Sequence, residues 1–386
     1  MKDRILAILL VASMMAAIYA AGPVWAAKTT AAYQVLEPIH QDNLTIFPVV
    51  ARNTQDTSQF LTLDEGMRSG EVVVTESGRL ASTMIRHRPG QMAAGGAQVN
   101  QLVLVNNSSR PLILLAGEIV TGGKQDRVVG SDRIVPAKSE PIDLAVFCVE
   151  PGRWTGASEQ FSASAPIMAQ PSVRKQAMAE RNQEQVWAEV NSSRKAMAAA
   201  PGGGVGGVLG PVAPPSTTSY AAAMDTPVYR AKVEQVAAPL ERSYEDLMGK
   251  LRDHKAVGVV VAINNRLEWF DVFASESLLQ KYWPKLVRSY AAESLTNRNS
   301  AAKAPSLEEA QNFLENIKGE QEVSRTEEDV YRQTEIKASG WKAFRLTSLL
   351  PKTGFDVHLA KMTTVTAKSA DSETPTNMLM RRRTVE

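Results

Sequence analysis

Between Leu44 and Val149 one local pattern recurs: a short apolar run rich in β-branched residues, closed by residues that turn the chain. The runs are Leu44–Val50, Glu71–Glu76, Gln101–Val105, Leu112–Leu115 and Ile142–Val149, and Asn106-Asn107-Ser108-Ser109-Arg110-Pro111 joins two of them. Segments this short are strand-length rather than helix-length, and tight polar connections favour antiparallel neighbours. Sheets of this kind hide their apolar faces most simply by stacking, so an antiparallel, sandwich-like body is expected over 33–165.

The pattern then changes. Arg174–Ala199 is rich in Ala, Gln, Glu, Arg and Met and lacks Gly and Pro, and Val186, Trp187 and Val190 form a stripe of helical spacing, so 166–200 is expected to be helical. Pro201-Gly202-Gly203-Gly204 ends it, and Pro211, Pro214 and Pro215 keep 201–223 extended, as a linker. The Lys-Ser/Thr pair of a phosphate-cradling loop does not follow these glycines. In 224–300 a helix over Val228–Arg252 precedes a hairpin, Val257–Ile263 and Leu267–Phe273 joined by Asn264-Asn265. Ser275 caps the next helix, in which Pro284 predicts a kink or a later first turn. Over 301–366, Ser306 and Glu309 form a capping box for a helix to Ile317, Gly319 stops it, and Gly354–Leu359 is a strand. Residues 367–386 are expected to be a disordered basic tail. The fold class is therefore α+β, a strand-rich sandwich-like body followed by an α/β hairpin-and-helix part.

The first 26 residues stand apart. Lys2 and Arg4 form a basic head, an apolar run follows from Ile5, and Val24-Trp25-Ala26 ends it with small residues at alternate positions. This is the pattern of a secretory signal peptide cleaved before Ala27 or Lys28, giving a periplasmic or secreted protein. The alternative is a membrane anchor over 5–26, which is long enough to span. A single cysteine, Cys148, rules out an intrachain disulfide and multi-thiolate metal clusters. The four histidines, His40, His87, His254 and His358, show no ligand spacing, so neither metal nor cofactor is expected. A net charge of +2 in 386 residues leaves no field to attract nucleic acid.

The densest polar stretch beside apolar strands is Gly117–Arg127. Its glycines permit close backbone approach, Lys124 and Arg127 suit a carboxylate or phosphate, and Glu118 or Asp126 suits a base. Glu150, Arg153 and Trp154 follow the end of the Ile142–Val149 strand. Charged residues at the ends of neighbouring buried strands share one rim, so Glu118, Lys124, Gln125, Arg127, Glu150, Arg153 and Trp154 are the candidate ligand-binding set. The competing reading is an ordinary loop with internal ion pairs. Cys148 alternates with Val146 on an apolar strand and is expected to be a buried structural thiol.

These segments resemble the ARPP-1 domain family, the ARG and rhodanese-phosphatase-superfamily-associated protein domain. The resemblance rests on Leu114-Leu115-Ala116-Gly117-Glu118-Ile119-Val120, Gly123-Lys124-Gln125-Asp126-Arg127, Val146-Phe147-Cys148-Val149-Glu150, Gly152-Arg153-Trp154 and the segment Val257–Tyr290. It covers most of 33–295 and implies a fold unit, with Gly117, Glu118, Lys124, Gln125, Arg127, Cys148, Glu150, Arg153 and Trp154 as family-like positions, and it carries no catalytic role to any of them.

Three functions fit. The first is an extracytoplasmic domain that binds a small anionic ligand or a protein. The second is a hydrolase or transferase using 117–127 with Glu150 and Arg153. The third is a structural envelope protein. A solvent-open pocket lined by the polar set favours a site, whereas the same groups buried and mutually paired favour a scaffold.

Overall fold

A computed structural model of the chain describes residues 32–76, 101–152, 158, 160–162, 167–200, 217–297 and 303–364. The expected signal segment, the tail, Arg153, Trp154 and residues 201–216 of the expected linker lie outside the described residues.

The chain opens with β1 (Gln34–Val35), β2 (Ile39–Gln41), β3 (Leu44–Ala51), β4 (Leu61–Thr62), α1 (Leu63–Ser69) and β5 (Val72–Glu76). The strands β6 (Gln101–Asn106), β7 (Leu112–Leu114), β8 (Ile119–Gly122), β9 (Arg127–Val129), β10 (Arg133–Val135), β11 (Ile142–Cys148) and β12 (Phe161–Ser162) follow. Next come α2 (Pro171–Lys175), a π-helical turn over Gln176–Glu180, α3 (Gln183–Ala199), α4 (Tyr220–Met224) and α5 (Pro227–Met248). A hairpin of β13 (Lys255–Ile263) and β14 (Arg266–Phe273) leads into α6 (Glu276–Thr296) and α7 (Leu307–Glu315). The last strands are β15 (Gln321–Glu327), β16 (Tyr331–Ala338), β17 (Trp341–Ser348) and β18 (Asp356–Thr363).

The fold is α+β with antiparallel sheets, as expected, apart from one short parallel pair, β4 with β7. A six-stranded sheet, β12-β8-β9-β11-β6-β5, and a three-stranded sheet, β10-β7-β4, share one apolar core. Alternation along β11 turns Leu144, Val146 and Cys148 inward, the period-2 signature of a half-covered strand. The third sheet has nine strands, β1-β3-β13-β14-β18-β17-β16-β15 with β2 also on β3. Every residue of β3 and all but the first of β13 are buried, because helices cover both faces. On one face α5 and α6 place Val236, Leu240, Tyr244, Tyr282, Leu286 and Tyr290 against the sheet. On the other, Ala310 and Leu314 of α7 meet Phe47, Val260 and Phe270.

Three expectations need correction. The strand-rich body does not hold all of 33–165, because β3 pairs with β13 from Ala51↔Lys255 to Leu44↔Ile263 and so completes the C-terminal sheet. The helix expected over Arg174–Ala199 is interrupted. Arg181 is left-handed (φ 51°), and Asn182 starts a new helix by accepting from the Gln185 amide. The expected linker ends earlier than Ala223: Ser219 caps α4, and Tyr220 is buried with its hydroxyl accepting from the Gln170 amide. The expected Asn264-Asn265 turn is present, with both residues at positive φ, as a two-residue hairpin of type I′ character requires. The helix capped by Ser275 begins at Glu276 and continues through Pro284.

Candidate functional site

The Gly117–Arg127 stretch divides into two halves that face different neighbours. The second half folds onto the end of β11. The Gln125 side-chain amide donates to the Glu150 carbonyl (3.0 Å) and its oxygen accepts from the Cys148 thiol (2.8 Å). The Asp126 amide donates to Glu150 Oε2 (3.1 Å), while the Asp126 carboxylate accepts from the Gly122 amide and the Ser219 hydroxyl. Arg127, fully buried, donates to the Gln125 carbonyl (2.6 Å) and lies 3.9 Å from Glu76. Gln125, Arg127 and Glu150 are thus brought together, but as a buried and mutually bonded cluster. Lys124 is half-buried beside it, with its amide on Glu76. Burial pushes the Cys148 thiol up to about 11, leaving it protonated at neutral pH. This is the expected structural thiol.

The first half faces the large sheet. Glu118 leaves the cluster just described and accepts from the Leu115 amide (2.7 Å) and from Lys285 of α6 (2.5 Å). Lys285 also donates to Asp64 in the first turn of α1, and its ammonium lies 4.6 Å from the Tyr282 ring centre. Burial pushes the Glu118 carboxyl up, while Glu118 and Asp64 hold the proton on Lys285 against the cost of its burial.

Next to this triad runs a longer buried chain of charges. Asp132 accepts from the Ala116 amide (2.7 Å) and bonds His358 Nδ1 (2.6 Å). His358 Nε2 bonds Asp271 (3.1 Å), and Arg174 clasps Asp271 with two bonds of 3.0 Å. Asp271 also accepts from the Trp269 indole (2.9 Å) and the Tyr290 hydroxyl. Arg174 donates onward to the Ala116 carbonyl (3.2 Å). Gly117 is required here. Its φ is +98°, and a Cβ would lie 2.5 Å from the Arg174 side chain. Burial opposes every charge in this chain, yet each is offset by a neighbour. Arg174 and His358 hold Asp271 well below the usual carboxylate range, and Asp132 with Asp271 raises His358 to about 9.

The chain of charges lies under a cleft. Trp269, whose indole is bound to Asp271 and whose ring carries the Arg174 guanidinium 4.5 Å from its centre, also lines a cavity of about 260 Å3. The cavity opens between the start of α2, the β13–β14 turn, the end of α6 and β18, with Ser172, Lys175, Arg266, Glu268 and Glu293 on its walls. The carboxylates there are engaged: Glu293 accepts from the Ser172 amide and hydroxyl and from Gln170, and Glu268 accepts from the Thr363 hydroxyl. Burial further raises Glu293, moving it towards its neutral form. The cations are not equally engaged. Arg266 reaches Glu268 only at 4.0 Å, and Lys175 has no hydrogen-bond or ion-pair partner among the described residues.

None of Lys175, Arg266, Asp132, Arg174, Asp271, Lys285 or His358 belongs to the sequence-derived set. One signal was available: Asp271 and His358 interrupt the apolar runs Trp269–Phe273 and Val357–Ala360, and a charge inside a buried strand requires a partner. The partners lie up to 226 residues away, beyond any local pattern.

Comparison with known proteins gives one match. The family profile of ARPP-1, the ARG and Rhodanese-Phosphatase-superfamily-associated Protein domain, covers residues 32–362. No curated protein and no solved structure matches the chain.

Proposed function

We propose that this chain, which belongs to the ARPP-1 family, is an extracytoplasmic binding domain that takes a small anionic ligand in the cleft between α2 and the β13–β14 turn. The observation that carries the reading is Lys175, a half-buried cation on the cleft wall with no partner among the described residues, set near a loosely paired Arg266. The cleft's own carboxylates are bonded to protein donors, so the unsatisfied charge facing it is positive. A carboxylate or phosphate monoester meets that charge, and Trp269 with Met362 and Ile263 supplies an apolar wall. The 117–127 loop supports a hydrolase or transferase less well, because Gln125, Asp126, Arg127 and Glu150 bond to one another.

Export is part of the reading and rests on the basic head and apolar run of residues 1–26. No helix among the described residues is long and apolar enough to cross a membrane.

The test is thermal denaturation of the exported protein with a panel of small carboxylates and phosphate monoesters. At a hundredfold excess over Kd a ligand adds about 2.7 kcal/mol of stability. The expected result is a rise in melting temperature with at least one compound, absent in Lys175→Ala and reduced in Arg266→Ala. A panel without effect, or a rise indifferent to both substitutions, overturns the proposal. Mass spectrometry of the same preparation gives its first residue: Ala27 or Lys28 if the leader is removed, Met1 if it is retained as an anchor.

A further inference from the structure

We infer that the buried triad of Lys285, Asp64 and Glu118 is a site of self-modification, in which Lys285 and Asp64 condense to an intramolecular amide with Glu118 as the proton carrier. This is independent of the cleft and of any ligand.

The geometry places the reacting groups in contact. The Lys285 amine bonds both the Asp64 carboxylate and Glu118 Oε1, the latter at 2.5 Å. The amine and Glu118 are almost wholly enclosed, with side-chain exposures of 2 % each, whereas Asp64 keeps 14 %. The acyl group therefore borders solvent while the nucleophile and proton carrier lie behind it. The Tyr282 ring flanks the amine at 4.6 Å, and the Leu115 amide holds the second oxygen of Glu118 in place. The groups come from three separate elements, so the fold pre-assembles them. Such an arrangement supplies the effective concentration that makes amide formation from an unactivated acid feasible.

The proton inventory fits. One ammonium stands beside two carboxyl groups, so only one carboxylate is needed for neutrality. Burial raises the carboxyl of the other, Glu118, which makes it the better proton acceptor and donor of the pair. Transfer of one proton from the Lys285 ammonium to Asp64 leaves a neutral amine between two carboxylic acids, a set without net or separated charge. The amine nitrogen then attacks Cγ of Asp64 while Glu118 donates its proton to the carbonyl oxygen. Glu118 then takes a proton from nitrogen and passes it to one hydroxyl of the tetrahedral adduct, which leaves as water, while the other hydroxyl returns its proton to Glu118 as the carbonyl re-forms. An ammonium and a carboxylate are consumed, one amide and one water are formed, Glu118 is regenerated, and no oxidant or other reactant takes part. The product ties α1 to α6 across 221 residues of sequence, a covalent brace for a chain that has a single cysteine and no disulfide.

The experiment is intact-mass measurement of the denatured full-length protein as exported, followed by proteolysis and sequencing of peptides. The expected mass is lower by one water than that of the chain beginning at the observed first residue, with a branched peptide joining Lys285 to Asp64. Asp64→Ala and Lys285→Arg are expected to show the full sequence mass, and Asp64→Asn to lose ammonia instead of water. Glu118→Gln is expected to keep the full mass over hours after folding. Because Glu118 is fully buried and its variant can fail to fold, Asp64→Ala, at the solvent edge of the triad, carries the control. The proposal is overturned by full mass in the folded wild type, by a water loss without a branched peptide, or by a water loss that persists in Asp64→Ala.

Discussion

His358 sits between two buried aspartates, and its titration offers a direct reading of what the buried charge chain contributes. Its ring bonds Asp132 through Nδ1 and Asp271 through Nε2, with Arg174 and Tyr290 on the far side of Asp271 and the Phe273 ring 4.7 Å away. The two carboxylates outweigh burial and raise its pKa to about 9, against about 6.5 when unfolded. A group raised in the folded state stabilises most below its unfolded pKa and loses that contribution as pH climbs to the folded value. At about 1.4 kcal/mol per unit, the fall between pH 6.5 and 8 amounts to about 2 kcal/mol. Above that range Lys361 acts in the opposite direction, because burial lowers its ammonium to about 8 and its deprotonation there relieves a buried charge. Urea unfolding at pH 6.5 and 8 is therefore the informative comparison. The wild type is expected to lose about 2 kcal/mol across the interval. His358→Gln is expected to be less stable at pH 6.5, having left Asp132 and Asp271 short of a cation, and to be nearly level from there to pH 8. A level wild type, or a variant that falls as steeply, refutes the reasoning.

Two further outcomes follow from the cluster at the end of β11. Arg127→Ala removes a fully buried guanidinium that bonds the Gln125 carbonyl and faces Glu76, and is expected to cost about 3–5 kcal/mol in denaturant unfolding, with added anions changing little. Cys148→Ser keeps a donor to Gln125 and is expected to lose only about 1 kcal/mol, while the wild-type thiol, raised to about 11, resists alkylation at pH 8 until the protein is unfolded.

How much of this was legible in the chain depends on the range of the interaction concerned. The capping box at Ser306 and Glu309, the Ser275 cap and the Asn264-Asn265 turn were readable because the groups that make them lie within a few residues of one another. The strand β11 was readable because its buried face repeats every second residue, and β6 and β7 because they are short apolar runs closed by turn residues. The strands β15 and β16 were not. β15 is exposed along nearly its whole length, and β16 buries only Thr334 and Ile336, so no apolar alternation marks them. Their turns at Asp329 and Gly340, both at positive φ, were the one local sign of a meander.

The candidate site divides in the same way. The sequence by itself determined that Gly117–Arg127 and Glu150 each follow a buried strand and must satisfy their charges there; Gln125 and Asp126 bond Glu150, and Arg127 bonds the Gln125 carbonyl and lies 3.9 Å from Glu76. It also determined that Cys148, alternating with Val146, points into a core. Only the tertiary structure decided that Glu118 turns from that cluster to Lys285, that Asp132 meets His358 and Asp271 meets Arg174, and that Lys175 and Arg266 face a common cleft. The physical reason is that apolar burial is non-directional and leaves a periodic trace in any segment that takes part in it. A buried ion pair is specific to two side chains, and the pairing of β14 with β18, not any local pattern, brings Asp271 beside His358.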